Sequence, residues 1–173
     1  MVIYNMVFYV RNKKIGSNYL CENTPYYLKH VLTDKHITIE NKEGSDLLRK
    51  DFIRLTNDVE VGHTVTIEKV CTGYGIFDHC YRIKVSNPSQ NDYDYITKNT
   101  IGRLYLYLDN IENATCWNLQ TISENICTTI TTKDLNSSWS TLSKHNRDWI
   151  LTQMKRASEA ILSDYWVFKI PKD

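Results

Sequence analysis

The chain has no apolar run approaching the roughly 20 residues that a helix needs to cross a bilayer. Nor does it carry an excess of charge: 21 Lys and Arg stand against 20 Asp and Glu, a formal net charge of +1. A basic surplus gathered on one face is the usual footprint of nucleic-acid binding by counterion release, and the global balance offers none. Its five cysteines, Cys21, Cys71, Cys80, Cys116 and Cys127, include no pair at zinc-site spacing and form an odd set without a pairing ladder. They read as reduced thiols. Proline is scarce as well: Pro25, Pro88 and Pro171 are too dispersed for a Pro-Pro-x-Tyr motif.

With 42% hydrophobic and 24% charged residues, the composition is that of an ordinary folded domain. One domain over residues 1–173 is expected, burying roughly 70% of the surface its unfolded chain would expose. Val2 to Val10 is apolar, but it has no leading positive region and no small-residue cleavage site. That favours a first strand over a secretory signal, and an intracellular protein over a secreted one. On that reading the sequons at Asn113 and Asn136 carry little weight.

Period-two patterns dominate the first 132 residues. Residues 59 to 85 carry the clearest hairpin chemistry. An alternating run from Thr64 to Val70 meets glycines at Gly73 and Gly75, and Phe77, His79, Tyr81, Ile83 and Val85 then share one face. Tyr19 to Leu32 is ambiguous: Pro25 can open a short helix there, with Tyr26, Tyr27, Leu28 and Val31 as its apolar side. His36 to Glu40 reads as a short strand, and Asp46 to Leu55 as a helix or as a strand from Phe52 onward. Ser86 to Asp94 is a loop, and Trp117 to Thr132 a further strand pair. Between Ile101 and Ile111, Leu104, Leu106 and Leu108 alternate with Tyr105 and Tyr107. No internal repeat is visible.

From Ser138 the period changes. Trp139, Leu142, Trp149, Ile150, Met154, Ala157 and Ile161 fall on one side of a 3.6-residue wheel, and Lys144, Arg147, Asp148, Lys155 and Glu159 on the other. The pattern predicts an amphipathic helix over about 139–162, capped by Ser137 or Ser138, and a closing strand over about 165–170. Strands followed by a late helix packed on one face make an α+β domain built on an antiparallel sheet with hairpins.

The sharpest catalytic candidate is His36-Ile37-Thr38, because two-histidine phosphoesterases use a pair of His-x-Thr motifs. Its only partner is His63-Thr64-Val65, where valine replaces the second hydroxyl. Adjacent His79 and Cys80 point to opposite faces of a strand, so with Cys71 they make a poor zinc site. Gly73-Tyr74-Gly75 continues without a third glycine or a Lys-Ser or Lys-Thr pair, which makes it a turn and not a phosphate cradle. No catalytic residue, metal site or cofactor is therefore assigned, and a protein that is not an enzyme is expected.

Size, near-neutral charge, an Asn- and Tyr-rich composition, reduced cysteines and the order of strands then a late helix together resemble the small matrix proteins of plant-infecting rhabdoviruses. The resemblance implies a non-catalytic viral structural protein of the host cytoplasm and virion that self-associates, binds nucleocapsid and touches membrane peripherally. The residues proposed for such contacts are Tyr105 and Tyr107, in a stretch from Leu104 to Thr132 without Lys or Arg, together with Arg82, Lys84, Lys144, Arg147 and Lys155. The alternative is a small nucleic-acid or nucleotide-binding module in which aromatics among basic residues stack bases, one form of it being a degenerate two-histidine phosphoesterase through His36, Thr38 and His63.

Overall fold

The computed structural model describes residues 20–44, 46–70, 80–99, 105–121 and 127–171. They form twelve strands: β1 (Tyr26–His30), β2 (His36–Glu43), β3 (Arg49–Thr56), β4 (Thr64–Lys69), β5 (Cys80–Val85), β6 (Tyr95–Thr97), β7 (Tyr107–Asp109), β8 (Trp117–Thr121), β9 (Cys127–Thr132), β10 (Ser138–Lys144), β11 (Arg147–Gln153) and β12 (Trp166–Lys169). Among the described residues no helix reaches seven residues, and none is long and apolar enough to cross a membrane. The proposed strand at Val2–Val10, together with Cys71, Gly73, Tyr74, Gly75, His79 and Leu104, lies outside the described residues.

Six strands close on themselves. β1 pairs with β4, β4 with β5, β5 with β8, β8 with β9, β9 with β12 and β12 with β1, all antiparallel. Closure leaves this barrel without a free edge. The other six strands form three hairpins, β2–β3, β6–β7 and β10–β11. Their second strands meet one another, through Phe52↔Tyr107, Leu55↔Asp148 and the bridge Tyr105↔Leu151, and so make a cap. Each third of the chain supplies two barrel strands and one cap hairpin, the arrangement of a β-trefoil. The repeat is therefore one of backbone, absent from the residue pattern.

This corrects the α+β expectation and removes the helix at 139–162. The segment is instead the hairpin β10–β11, in register from Ser138↔Gln153 to Lys144↔Arg147. Its two turn residues, His145 and Asn146, have φ of 53° and 59°, the left-handed pair that a tight hairpin turn demands. The helical stripe was a coincidence of a cap that is buried on both faces. Trp139 and Ile150 enter the barrel core, Trp149 and Leu151 enter a second cluster on the far side, and Met154 and Ile161 are 91% and 58% exposed. The short helix after Pro25 is strand β1, and Asp46 to Leu55 resolves into a turn and β3.

At the centre of the barrel core stand Trp117, Trp139 and Trp166, all fully buried. Trp139 meets the other two edge-to-face, at centroid distances of 5.3 and 5.5 Å. That geometry suits the ring quadrupoles. Ile37, Ile53, Ile67, Ile83, Ile96 and Leu106 fill the space around them.

The β2–β3 turn carries a local cost. Leu47 has φ 64° and is 75% exposed, while Gly44 N–H donates to the Leu48 carbonyl at 2.7 Å and closes the loop. The left-handed conformation costs a β-carbon-bearing residue roughly 1–2 kcal/mol, and asparagine bears it best after glycine. Leu47→Asn is expected to raise stability by roughly 0.5 kcal/mol in chemical denaturation. A less stable variant would mean that the leucine side chain makes contacts outweighing its backbone cost.

Candidate binding face on the hairpin cap

Strands β3, β7 and β11 alternate between two destinations, as period two requires. Ile53, Leu55, Leu106, Leu108 and Ile150 point into the barrel core. Phe52, Tyr105, Trp149 and Leu151 form a separate cluster on the opposite side of the cap, with half-buried Tyr107 packed against it. Tyr105 stacks on Trp149 at 5.0 Å with 17° between ring planes, and Phe52 meets Tyr105 edge-on at 6.4 Å.

Cations cover these rings. Lys42 Nζ lies 4.2 Å from the Trp149 centroid, 5.4 Å from Tyr105 and 5.5 Å from Phe52. Lys50 Nζ lies 4.6 Å from Tyr107 and is also tied to Asp46 at 3.0 Å. Beside them Glu40 Oε1 accepts from Arg54 and Arg147, at 3.1 and 2.9 Å. Burial works against its charge, yet the Arg147 hydrogen bond and the charges of both arginines hold the carboxyl below its ordinary range.

Tyr107 stands between two clefts. One, of about 570 Å³, runs past Thr97, Lys98, Asp109, Asn113 and Lys133. The other, of about 320 Å³, is lined by Arg49, Asp51, Ser89, Tyr93 and Asp109. Buried Asp51 is held there by Asn41 Nδ2 at 2.9 Å and by Ser89 N–H at 2.7 Å. The Tyr107 hydroxyl donates to Asp109 Oδ2 at 3.1 Å, and burial, followed by the Asp109 charge, pushes its pKa up to about 12. The hydroxyl therefore remains protonated across the physiological range.

Of the residues singled out from sequence, Tyr105, Tyr107, Arg147 and Lys144 come together on this side. Lys144 is exposed at the β10–β11 tip opposite Arg147, whereas Tyr105 is only 9% exposed and belongs to the cluster floor. Arg82 and Lys84 sit apart, on barrel strand β5. Arg82 faces Glu68 in the ladder, and Lys84 pairs with Asp94 at 3.6 Å. Lys155 is bound to buried Asp164 at 2.7 Å, a bond that fastens the β11–β12 connection. Sequence reasoning missed Lys42, Lys50 and Phe52, and gave Trp149 to a helix core. The signal was the period-two run Lys50, Phe52, Arg54, visible once Asp46 to Leu55 is read as a strand throughout.

The histidine motifs face a different task. The His36 Nε2 hydrogen is directed at the Asp58 carbonyl at 3.0 Å, and the Thr38 hydroxyl donates to the Val61 carbonyl. His63 Nδ1 donates to the Ser86 carbonyl at 2.8 Å, and the Thr64 hydroxyl donates to Ser86 Oγ. His36 and Thr38 thus hold the β3–β4 connection, and His63 and Thr64 tie its end and the start of β4 to Ser86, just after β5. Among the described residues no three His, Cys, Asp or Glu side chains gather where they could hold a metal ion.

No protein-family model and no curated protein matches the sequence. Solved structures do match in fold. The lysenin pore superposes with a TM-score of 0.65 at 14% identity over 88% of this chain, and lysenin has also been solved in complex with phosphocholine. This chain spans about half of lysenin, 48% of the pore-form chain. The water-soluble chlorophyll protein of Brassica oleracea var. Botrytis, with chlorophyll b, matches at 0.64 and 10% identity over 88% of this chain and 94% of its own. A proteinase inhibitor from Coprinopsis cinerea matches at 0.58 and 15% over 84% and 96%. At these identities the likeness concerns the fold alone.

Proposed function

We propose that this is a non-catalytic recognition protein whose binding face is the outer side of the hairpin cap, centred on Tyr107. One observation carries the reading: a half-buried tyrosine, with its hydroxyl held by Asp109 and a lysine over its ring, stands between two clefts on the cap. A few convergent polar groups on an aromatic floor are the ordinary build of a ligand site. The histidine motif adds support from the other side, since one ring nitrogen of each histidine and both threonine hydroxyls are engaged in backbone and loop contacts. Lysenin has been solved with phosphocholine, the water-soluble chlorophyll protein with chlorophyll b, and a third similar structure is a proteinase inhibitor, so the fold does not name the partner and the site must be read for itself.

The test is a thermal-shift panel of phosphate, choline and simple saccharides on the wild type and on Tyr107→Ala. At least one probe is expected to stabilise the wild type and to lose that effect in the variant. Stabilisation indifferent to Tyr107, or phosphodiester hydrolysis that disappears in His36→Ala, would overturn the reading.

A second reading is assembly through the same face. The matrix-protein resemblance leaned on a late helix that is in fact β10–β11, which leaves size and composition; the absence of Lys and Arg from Leu104 to Thr132 favours contact between copies. Sedimentation that shifts with concentration in the wild type, but not in Tyr107→Ala, would select it.

A further inference from the structure

The geometry points to the recess formed by Phe52, Tyr105 and Trp149 as a site for a quaternary or methylated ammonium group, with the Lys42 side chain as its built-in occupant. Three rings within 5.5 Å of one ammonium make a cation receptor, and their mutual stacking fixes them independently of what they hold. Among the described residues no carboxylate pairs with Lys42. Its partner directly across the hairpin is Lys50, so the ladder itself disfavours a second cation there. Lys50 is neutralised by Asp46, whereas the Lys42 ammonium is held among the described residues by the rings.

A lysine ammonium is strongly hydrated and gives up that hydration to enter the recess. A quaternary ammonium is the group that aromatic cages recognise best. Because Lys42 rides on a flexible four-carbon stem from strand β2, it can leave without moving the backbone that carries the rings. The cage is therefore closed by an internal competitor, and a methylated ammonium enters as Lys42 swings out to solvent.

This inference deepens the binding-face reading by naming a ligand class. If the cage takes no choline while another probe still depends on Tyr107, only the cage assignment falls. Choline and its uncharged carbon isostere are titrated, at matched ionic strength, into wild type, Lys42→Ala and Lys42→Gln, with tryptophan fluorescence and equilibrium dialysis as readouts. Removal of the internal competitor is expected to tighten choline binding about tenfold over wild type, with the isostere left behind. Absence of saturable choline binding in a folded variant, or equal binding of the isostere, would overturn the proposal. Should alanine not fold, the glutamine variant decides. Failure of both to fold would assign Lys42 to the fold and end the proposal.

Discussion

Trp117→Ala is expected to cost about 3–5 kcal/mol, a large share of the 5–15 kcal/mol that holds a typical domain together. Trp117 is fully buried at the junction of barrel and cap: its ring is edge-on to Trp139, and its indole N–H donates to the Ile96 carbonyl of β6 at 3.0 Å. Alanine would leave a cavity among residues already fixed by closed ladders. A graded pair of substitutions separates packing from hydrogen bonding. Trp117→Phe gives up volume and a buried hydrogen bond worth roughly 1 kcal/mol net. Trp139→Phe gives up similar volume but removes an indole N–H that has no hydrogen-bond partner among the described residues. Urea denaturation should therefore find Trp139→Phe the milder change. Equal costs would show that the Ile96 bond contributes nothing.

Gly62→Ala is expected to lose roughly 1–3 kcal/mol through overpacking. A β-carbon at Gly62 would lie 2.3 Å from His36 Cδ2 and Nε2, and that ring is buried and bound to the Asp58 carbonyl. Either the ring leaves its bond or the β3–β4 connection shifts. A double-mutant cycle isolates the cause, because Gly62→Ala in a His36→Ala background meets no ring and should be nearly silent. An undiminished cost in that background would place the strain elsewhere. The result also bears on catalysis, since it tests whether His36 is a fitted part of this connection.

Much of the barrel was legible in the alternation of single segments. The runs that became β4 and β5 read correctly as an antiparallel pair, and the closing strand falls where the tail pattern placed it. Leu106 and Leu108 do enter the core while Tyr105 and Tyr107 take the other side. The cap was not legible, for a physical reason. Its strands are buried on both faces by different clusters, so Trp149, Ile150 and Leu151 are all apolar and alternation disappears. Without alternation, spacing drifts by chance into a helical stripe. The discriminating sign was local: Ser138 to Ser143 is poor in helix formers, and His145-Asn146 is a two-residue turn. The threefold repeat stayed hidden because equivalent layers are filled by unlike residues. The three core tryptophans come from β8, β10 and β12, so no self-similar string records the symmetry. The candidate face was half visible, since its tyrosines stood out while Lys42, Lys50 and Phe52 needed the cap to bring them together.

The chain's four tryptophans offer a direct test of where recognition occurs, since three lie in the barrel core and Trp149 alone lies in the outer cluster of the cap. Uniform fluorotryptophan labelling should give one fluorine resonance for each, assigned by single Trp→Phe changes. With the probe that most stabilises the protein in the thermal-shift panel, the Trp149 resonance is expected to move while those of Trp117, Trp139 and Trp166 hold still. Movement of the core resonances with Trp149 unmoved would contradict a binding face on the cap.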